Sequence, residues 1–426
     1  MNAIYSQIAS YKALRRDEKF QMIYYYLTLL FAFMMPLSRA AISFFLILFP
    51  LIWIIEGDFK RKWSEIKESK FLVVFIVFLI LVIISGLFFS DDGKLAFRYI
   101  RLYLYWSSIF VLATSLKKEW IRTILSAFLC GMIVSEVIAY GVFFELWQWK
   151  NITKANPSPF MIHIEYSVYL AFTSILLFNR VLSKNYSLPQ KLFFTLFFLS
   201  TTGNLFLQTG RTGQVAYVAA LVVMFFLHYK FSLKAFICIF LSATVIYLSA
   251  YNISHNFNKR VHQTIEEITT IQSGELNTSW GIRLAFWPVA YEIVKEHPIF
   301  GVGIGDFQKE AANVLTKDKF HSFHPYVKEF ISTNNFHNQF LQCSVGMGLI
   351  GLFVCITLYF LAFKTAICTK DRELRDIYLL FMVIYTIGSF SDTFWGAQFS
   401  VTIWILLTSL MLVSNKKLEH HQLLDK

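Results

Sequence analysis

Two isolated arginines and one histidine carry the chemistry this chain offers most openly. Arg211 lies in Gln208-Thr209-Gly210-Arg211-Thr212-Gly213-Gln214, at the start of an apolar run. A helix beginning there presents free N–H groups and the positive end of its dipole, which favour an anion, and flanking glycines let one approach closely. The guanidinium adds a planar fork suited to bidentate phosphate contact, although the same side chain could snorkel to lipid headgroups. Arg283 falls where Trp280, Arg283, Trp287 and Tyr291 recur at helical spacing. One face would then show a cation among aromatics, or serve as an amphipathic anchor at headgroup level. His337 stands in Asn334-Asn335-Phe336-His337-Asn338-Gln339, at the head of another apolar run. A neutral imidazole there can take a proton from an attacking hydroxyl near neutral pH, and beside two Asn it can equally act as a cap.

Further polar residues cluster near the ends of apolar runs. His163 and Glu165 are candidates for lining the same cavity as the arginines, or for hydrogen bonding each other; Arg98 and Arg101 could add positive charge to it or anchor at the interface. His324, in His321-Ser322-Phe323-His324-Pro325, is a possible second polar contact. No carboxylate cluster or helical histidine pair supports a metal there. Gly301-Val302-Gly303-Ile304-Gly305 lacks the strand before and helix after that a nucleotide loop requires, and predicts a compact turn. The five cysteines lie in or beside apolar runs without C-x-x-C spacing, so neither a zinc site nor a disulfide framework is indicated.

The elements that must position these groups are membrane helices. With 56% hydrophobic and 15% charged residues, 46 Phe and a mean hydropathy of +0.53, the composition lies far from that of a soluble domain. Spanning hydrocarbon takes about 20 apolar residues in a helix, the form that satisfies its own backbone. About twelve such stretches are predicted, at 20–38, 40–56, 71–89, 99–116, 121–145, 162–180, 191–208, 212–229, 233–251, 339–363, 376–390 and 396–414. The chain then divides into helices one to nine (1–251), a long, mostly polar, partly helical loop (252–338), and helices ten to twelve with a tail (339–426).

Most of the 39 Lys and Arg fall in the two termini and in alternate short loops, as with Lys60-Arg61-Lys62 and Lys117-Lys118. The positive-inside bias therefore predicts both termini in the cytoplasm and the long loop outside. It also accounts for most of the net charge of +12, and no nucleic-acid partner is inferred. No A-x-A-like site follows the first apolar run, which is expected to act as an uncleaved anchor.

Gly210-Arg211-Thr212-Gly213, Arg283 with Trp287, His297-Pro298-Ile299-Phe300-Gly301-Val302-Gly303, and His337-Asn338-Gln339-Phe340-Leu341-Gln342 with Gly348-Leu349-Ile350-Gly351 together resemble the O-antigen ligase and polymerase superfamily of bacterial envelopes. The motifs run in order over roughly residues 205–355, and the predicted layout of twelve helices with one long late outer loop extends the likeness. The resemblance implies an all-α integral membrane glycosyltransferase with a glycosyltransferase-C-type fold, independent of metals and cofactors, in the bacterial inner membrane. Such ligases move a finished glycan from undecaprenyl diphosphate to the lipid A core at the periplasmic face, with inversion. By position, Arg211 and Arg283 would hold the diphosphate and His337 would be the general base, with His163, Glu165, His324, Trp287 and Asn338 as further substrate contacts. An O-antigen or capsule polymerase, or a protein-linked acceptor, belongs to the same superfamily; polymerases typically divide function between two sizeable outer loops, and here the loop at about 146–161 is short. A transporter or flippase would call for charges deep in several helices or inverted repeats.

Overall fold

The computed structural model describes residues 2–149 and 152–416, so most of the expected cytoplasmic tail, with Lys417 and Lys426, lies outside the described residues. Among these the chain is helical, without a β-strand. The first half runs α1 (Asn2–Met34), α2 (Arg39–Glu56), α3 (Phe59–Glu68), α4 (Lys70–Phe88), α5 (Gly93–Leu104), α6 (Ser108–Ser115), α7 (Ile121–Phe143), α8 (His163–Leu182) and α9 (Leu188–Leu207). Then come α10 (Arg211–Tyr229), α11 (Leu233–Ile253), α12 (His255–Gln272), α13 (Ser279–Glu296), α14 (Phe307–Val314), α15 (Pro325–Thr333), α16 (Gln339–Ile367), α17 (Arg372–Ser391) and α18 (Gln398–Ser414). Seven of them, α2, α4, α7 with the turn before it, α10, α11, α16 and α17, are long and apolar enough to cross a membrane. The protein is an all-helical, membrane-embedded one.

Each of the twelve apolar stretches is helical, but the fourth is not one straight rod. It divides into α5 and α6 around a 3-10 turn at Tyr105–Ser107. The first part keeps Ala96, Ile100 and Tyr103 buried and Arg98 and Arg101 exposed. A helix with one wet, charged face and one buried face suits a boundary better than a hydrocarbon interior. The apolar remainder, α6, packs against α18.

Burial explains which helices carry polar residues. Almost all of α8 and α18 is buried inside the bundle, so Ser167, Thr173 and Ser174 of α8 meet protein rather than lipid. Ser174 pairs with Thr202, and Thr173 returns its hydroxyl to the Tyr169 carbonyl. At the other extreme α11 buries only Ala235 and Ala250, and its exposed Phe and Leu side chains suit a lipid-facing helix.

Residues 255–333 form four helices, and α13, α14 and α15 share a small apolar core of their own. Ile282, Phe286, Val289 and Ile293 project from α13 onto Phe307, Val327 and Phe336. Full burial of Phe286 or Phe336 stabilises by roughly 1.5–3 kcal/mol each. The opposite face of α13 leaves Trp280, Leu284, Trp287 and Tyr291 exposed, as expected for a helix lying at an interface.

This small core is locked to the bundle through a break in α16. Gly348 has φ +66° and ψ −166°, which interrupts the helical hydrogen bonds. The glycine loop fills the break, with Val302 N–H donating to the Val345 carbonyl (3.0 Å), Gly303 N–H to that of Gly346 (3.1 Å), and Leu349 N–H to that of Pro298 (2.8 Å). Ser85 of α4 also donates to the Gly346 carbonyl and accepts from Ile304 N–H. Irregular backbone inside a membrane protein is tolerated where protein groups satisfy it, as they do here. The loop turns compactly, with Gly301 and Gly303 at positive φ, and its partners are carbonyls of a distant helix.

Candidate functional site

The three leading residues are brought to one place by helix ends. Arg211 is the first residue of α10, Arg283 lies in the first turns of α13, His337 immediately precedes the cap of α16, and α17 ends at Ser391. Ser391 joins them. Its hydroxyl donates to Thr212 Oγ1 (2.9 Å) and its carbonyl accepts from Arg283 Nε (3.2 Å). The carbonyl of the preceding residue, Phe390, accepts from Asn338 Nδ2 (3.2 Å).

The backbone places the His337 ring deliberately. Its φ of 44° is left-handed, a conformation costing a non-glycine residue about 1 kcal/mol or more, which survives only where the surroundings enforce it. Asn335 Oδ1 accepts the His337 N–H (3.0 Å), Asn338 Oδ1 caps α16 by accepting from Phe340 and Leu341 N–H, and Gln342 Oε1 accepts from Phe336 N–H. The ring lies nearly parallel to that of Phe330, 5.5 Å away, with Phe286 at 5.8 Å. Nδ1 is 3.3 Å from Asp392 Oδ1, within ion-pair range, but neither ring nitrogen makes an aligned hydrogen bond among the described residues.

Asp392 was not among the sequence candidates. Burial alone would raise its carboxyl, but His337, the Thr393 N–H at 2.7 Å and the Arg283 guanidinium hold it below the usual carboxylate range. An ionised carboxylate facing one imidazole nitrogen fixes the ring and stabilises it once protonated. The available signal was topological. Asp392 is a lone acid in the short connection between the eleventh and twelfth apolar stretches, on the side predicted for Arg211 and His337.

Arg211 does not stand free. Nη1 lies 3.3 Å and Nη2 3.1 Å from the two Glu267 carboxylate oxygens, Nη1 is also 3.2 Å from Thr264 Oγ1, and the guanidinium sits 6.0 Å over the Trp280 ring. Glu267 and Thr264 both belong to α12. Arg283 donates to the carbonyl and hydroxyl of Ser279 as well as to Ser391. Burial lowers its proton affinity, Asp392 opposes that, and Arg211 adds to it, while a guanidinium remains a cation throughout. Arg260, a third guanidinium on α12, is likewise depressed by burial and by Arg211. Three cations thus gather near Glu267 and Asp392 and outnumber them by one.

The remaining candidates divide. His163, at the start of α8, lies within electrostatic range of Arg260, Arg283 and Asp392, so it shares the site. Trp287 is on the exposed face of α13, one turn beyond Arg283. Asn338 serves as the cap of α16. Glu165 is buried and accepts from Phe399 and Ser400 N–H at the start of α18, with Arg39 3.7 Å away; it does not pair with His163. His324 is exposed and accepts from Tyr326 N–H as the cap of α15. The glycines beside Arg211 also differ from expectation. A Cβ at Gly210 would come 2.5 Å from the His163 carbonyl oxygen, and one at Gly213 2.2 Å from that of Ser167, so they admit α8 rather than an anion.

The sequence pattern of the O-antigen ligase family matches residues 195–356, which include Arg211, Glu267, Arg283, His337 and the break at Gly348. The chain is 26% identical over 311 residues to an uncharacterized protein of Haemophilus influenzae, an alignment covering 70% of this chain and 72% of that one. It is 24% identical over 187 residues to the O-antigen ligase of Escherichia coli, covering 44% of this chain and 42% of the relative. The resemblance carried by the motifs is borne out by the match of residues 195–356 to the O-antigen ligase family.

Proposed function

We propose that this protein is an O-antigen ligase that transfers a glycan from undecaprenyl diphosphate to the lipid A-core oligosaccharide at the periplasmic face of the inner membrane, with both termini in the cytoplasm. The observation that carries the reading is the junction of His337 and Asp392 with Arg283 and Arg211, at the ends of four helices. A glycosyl diphosphate is already activated, so the protein chiefly has to position it, neutralise the departing charge and accept one proton.

In this mechanism the acceptor hydroxyl attacks the anomeric carbon on the face opposite the diphosphate, and its proton passes to His337. The bond between that carbon and the diphosphate oxygen breaks as the new glycosidic bond forms, giving inversion. Arg211 and Arg283 meet the negative charge on the departing diphosphate, and Asp392 stabilises the imidazolium. His163 and Trp287 contribute to the substrate surface, whereas Glu165, His324 and Asn338 act through the hydrogen bonds that set their helices. No step calls on a metal or cofactor.

The test is deletion of the gene followed by analysis of lipopolysaccharide and undecaprenyl-linked glycans, complementing with wild type and with His337→Ala at matched protein level. Core lipopolysaccharide without long glycan, and long glycan retained on the carrier, rescued only by wild type, is the expected outcome. A single repeat on lipopolysaccharide would identify a polymerase instead, and unchanged glycans would remove the assignment.

A further inference from the structure

The basic groove along α5 is not used by the mechanism above. Lys94, Arg98 and Arg101 follow at i, i+4 and i+7, so they share one side of the helix. All three are exposed, and none makes a hydrogen bond or ion pair among the described residues. Lys309 and Arg122, by contrast, pair with carboxylates. Three like charges within two turns repel one another, and a shared anion relieves that.

The three cations line an open groove of about 440 Å³, with Gln308 of α14 and Phe97 also in its wall. The acid in its wall, Asp92, has Oδ1 engaged with Leu95 N–H as the cap of α5. The volume is that of a small-molecule site, large enough for a phosphate with a polar headgroup.

The surroundings are apolar and open. Phe88, at the end of α4, is 77% exposed, and Phe97 68%; Leu87 and Leu104 are exposed as well. Because α4 is one of the membrane-spanning candidates, its end marks a boundary between hydrocarbon and water. The groove lies at the same end of the bundle as the loop helices, since Asp306 accepts from Asp91 and Asp92 N–H and Lys309 pairs with Asp91. Cations with exposed Phe97 among them, close in sequence to the exposed apolar end of α4, match an amphiphile, with its phosphate on the cations and its chains along α4 and α5.

We propose that Lys94, Arg98 and Arg101 form a second anion site that binds the phosphate of an anionic membrane lipid, separate from the Arg211 and Arg283 cluster. Its ligand is the lipid itself, since exposed Phe97 in the groove contributes alongside the charges. The site does not depend on the ligase assignment.

The test titrates full-length protein in detergent with phosphatidylglycerol, phosphatidylcholine or glycerol 1-phosphate and reads bound lipid by native mass spectrometry. Phosphatidylglycerol should bind at least about tenfold tighter than either of the others. Each removed cation should weaken it about fivefold, so Arg98→Gln/Arg101→Gln loses roughly 25-fold, while Arg98→Lys/Arg101→Lys keeps most of the affinity. Arg211→Gln should leave it unchanged. Equal binding of phosphatidylcholine would overturn the charge argument, and equal binding of glycerol 1-phosphate would overturn the lipid. Wild-type affinity in the double Gln variant would remove the site. Should that variant fail to fold, Lys94→Gln, on an exposed side chain, still has to show its fivefold loss.

Discussion

The pairing of Arg211 with Glu267 makes a prediction with an unusual sign. If the donor diphosphate binds Arg211, it has to displace a carboxylate that already occupies both sides of the guanidinium fork at 3.1 and 3.3 Å. The side chains are only 17% and 13% exposed, so solvent screens the pair weakly. Glu267→Gln keeps one oxygen for the Trp280 N–H, which Oε2 now accepts at 3.3 Å, and removes the charge. Hydrogen bonds to charged groups are worth about 1.5–3 kcal/mol net. Losing the lower end of that range from the competing state corresponds to roughly tenfold in affinity. Inorganic pyrophosphate should therefore bind full-length Glu267→Gln about tenfold more tightly than wild type, measured by calorimetry at pH 7 and fixed salt. In turnover assays the donor KM should fall similarly, with kcat changed by less than about threefold. Weaker pyrophosphate binding in a variant of unchanged thermal stability would refute the reasoning, because it would make Glu267 a support for Arg211 rather than a competitor.

Three further outcomes concern Asp392 and the break in α16. Asp392→Asn should lower kcat roughly 10²- to 10³-fold, because orientation of the base is lost, with a much smaller change in donor KM from the altered field at Arg283; equal losses in both parameters would place Asp392 in donor binding. Since its folded carboxyl lies below the unfolded value of about 3.9, its stabilisation is complete above roughly pH 4 and disappears as pH falls through the lower folded value. The wild-type stability advantage over Asp392→Asn should thus fall away in thermal melts taken below about pH 4. Gly348→Ala forces a Cβ to 2.2 Å from the Ile299 carbonyl oxygen at φ +66°, and should destabilise by at least about 1–3 kcal/mol, read as a fall in Tm and in accumulated protein.

The helices were legible because hydrocarbon demands long apolar runs, and every such run is helical here. The division of the fourth at Tyr105–Ser107 was less so. Summed hydrophobicity extends through Leu102, Tyr103 and Leu104, whereas the bend depends on which side of α5 is buried. Gly301, Gly303 and Gly348 showed in the sequence as a compact turn and as parts of two motifs, without a sign that they meet. Their purpose lies in hydrogen bonds between residues more than forty positions apart, which no local pattern encodes. Glu165 has the same difficulty on a larger scale. It looked like a partner for His163 two residues away, and its carboxylate instead meets N–H groups at 399 and 400.

The site itself was half legible, and the division has a physical cause. Arg211, Arg283 and His337 stand out because each is a charged or basic group beside an apolar or aromatic run, where its presence is costly. Asp392 meets the same criterion and was overlooked only because it occupies a short connection. Glu267 never meets it. It follows Glu266 on a polar helix, and nothing in the sequence distinguishes the two carboxylates. What separates them is the rotation of α12, which turns Glu267 onto Arg211 and leaves Glu266 exposed. Cost in the membrane therefore reveals the groups that the bundle must carry, and it is silent about groups that a soluble helix lends to the site. If Glu267 yields to the donor, control over occupancy of the arginine cluster belongs to that lent helix, and variation along α12 should change donor affinity while leaving the His337 chemistry intact.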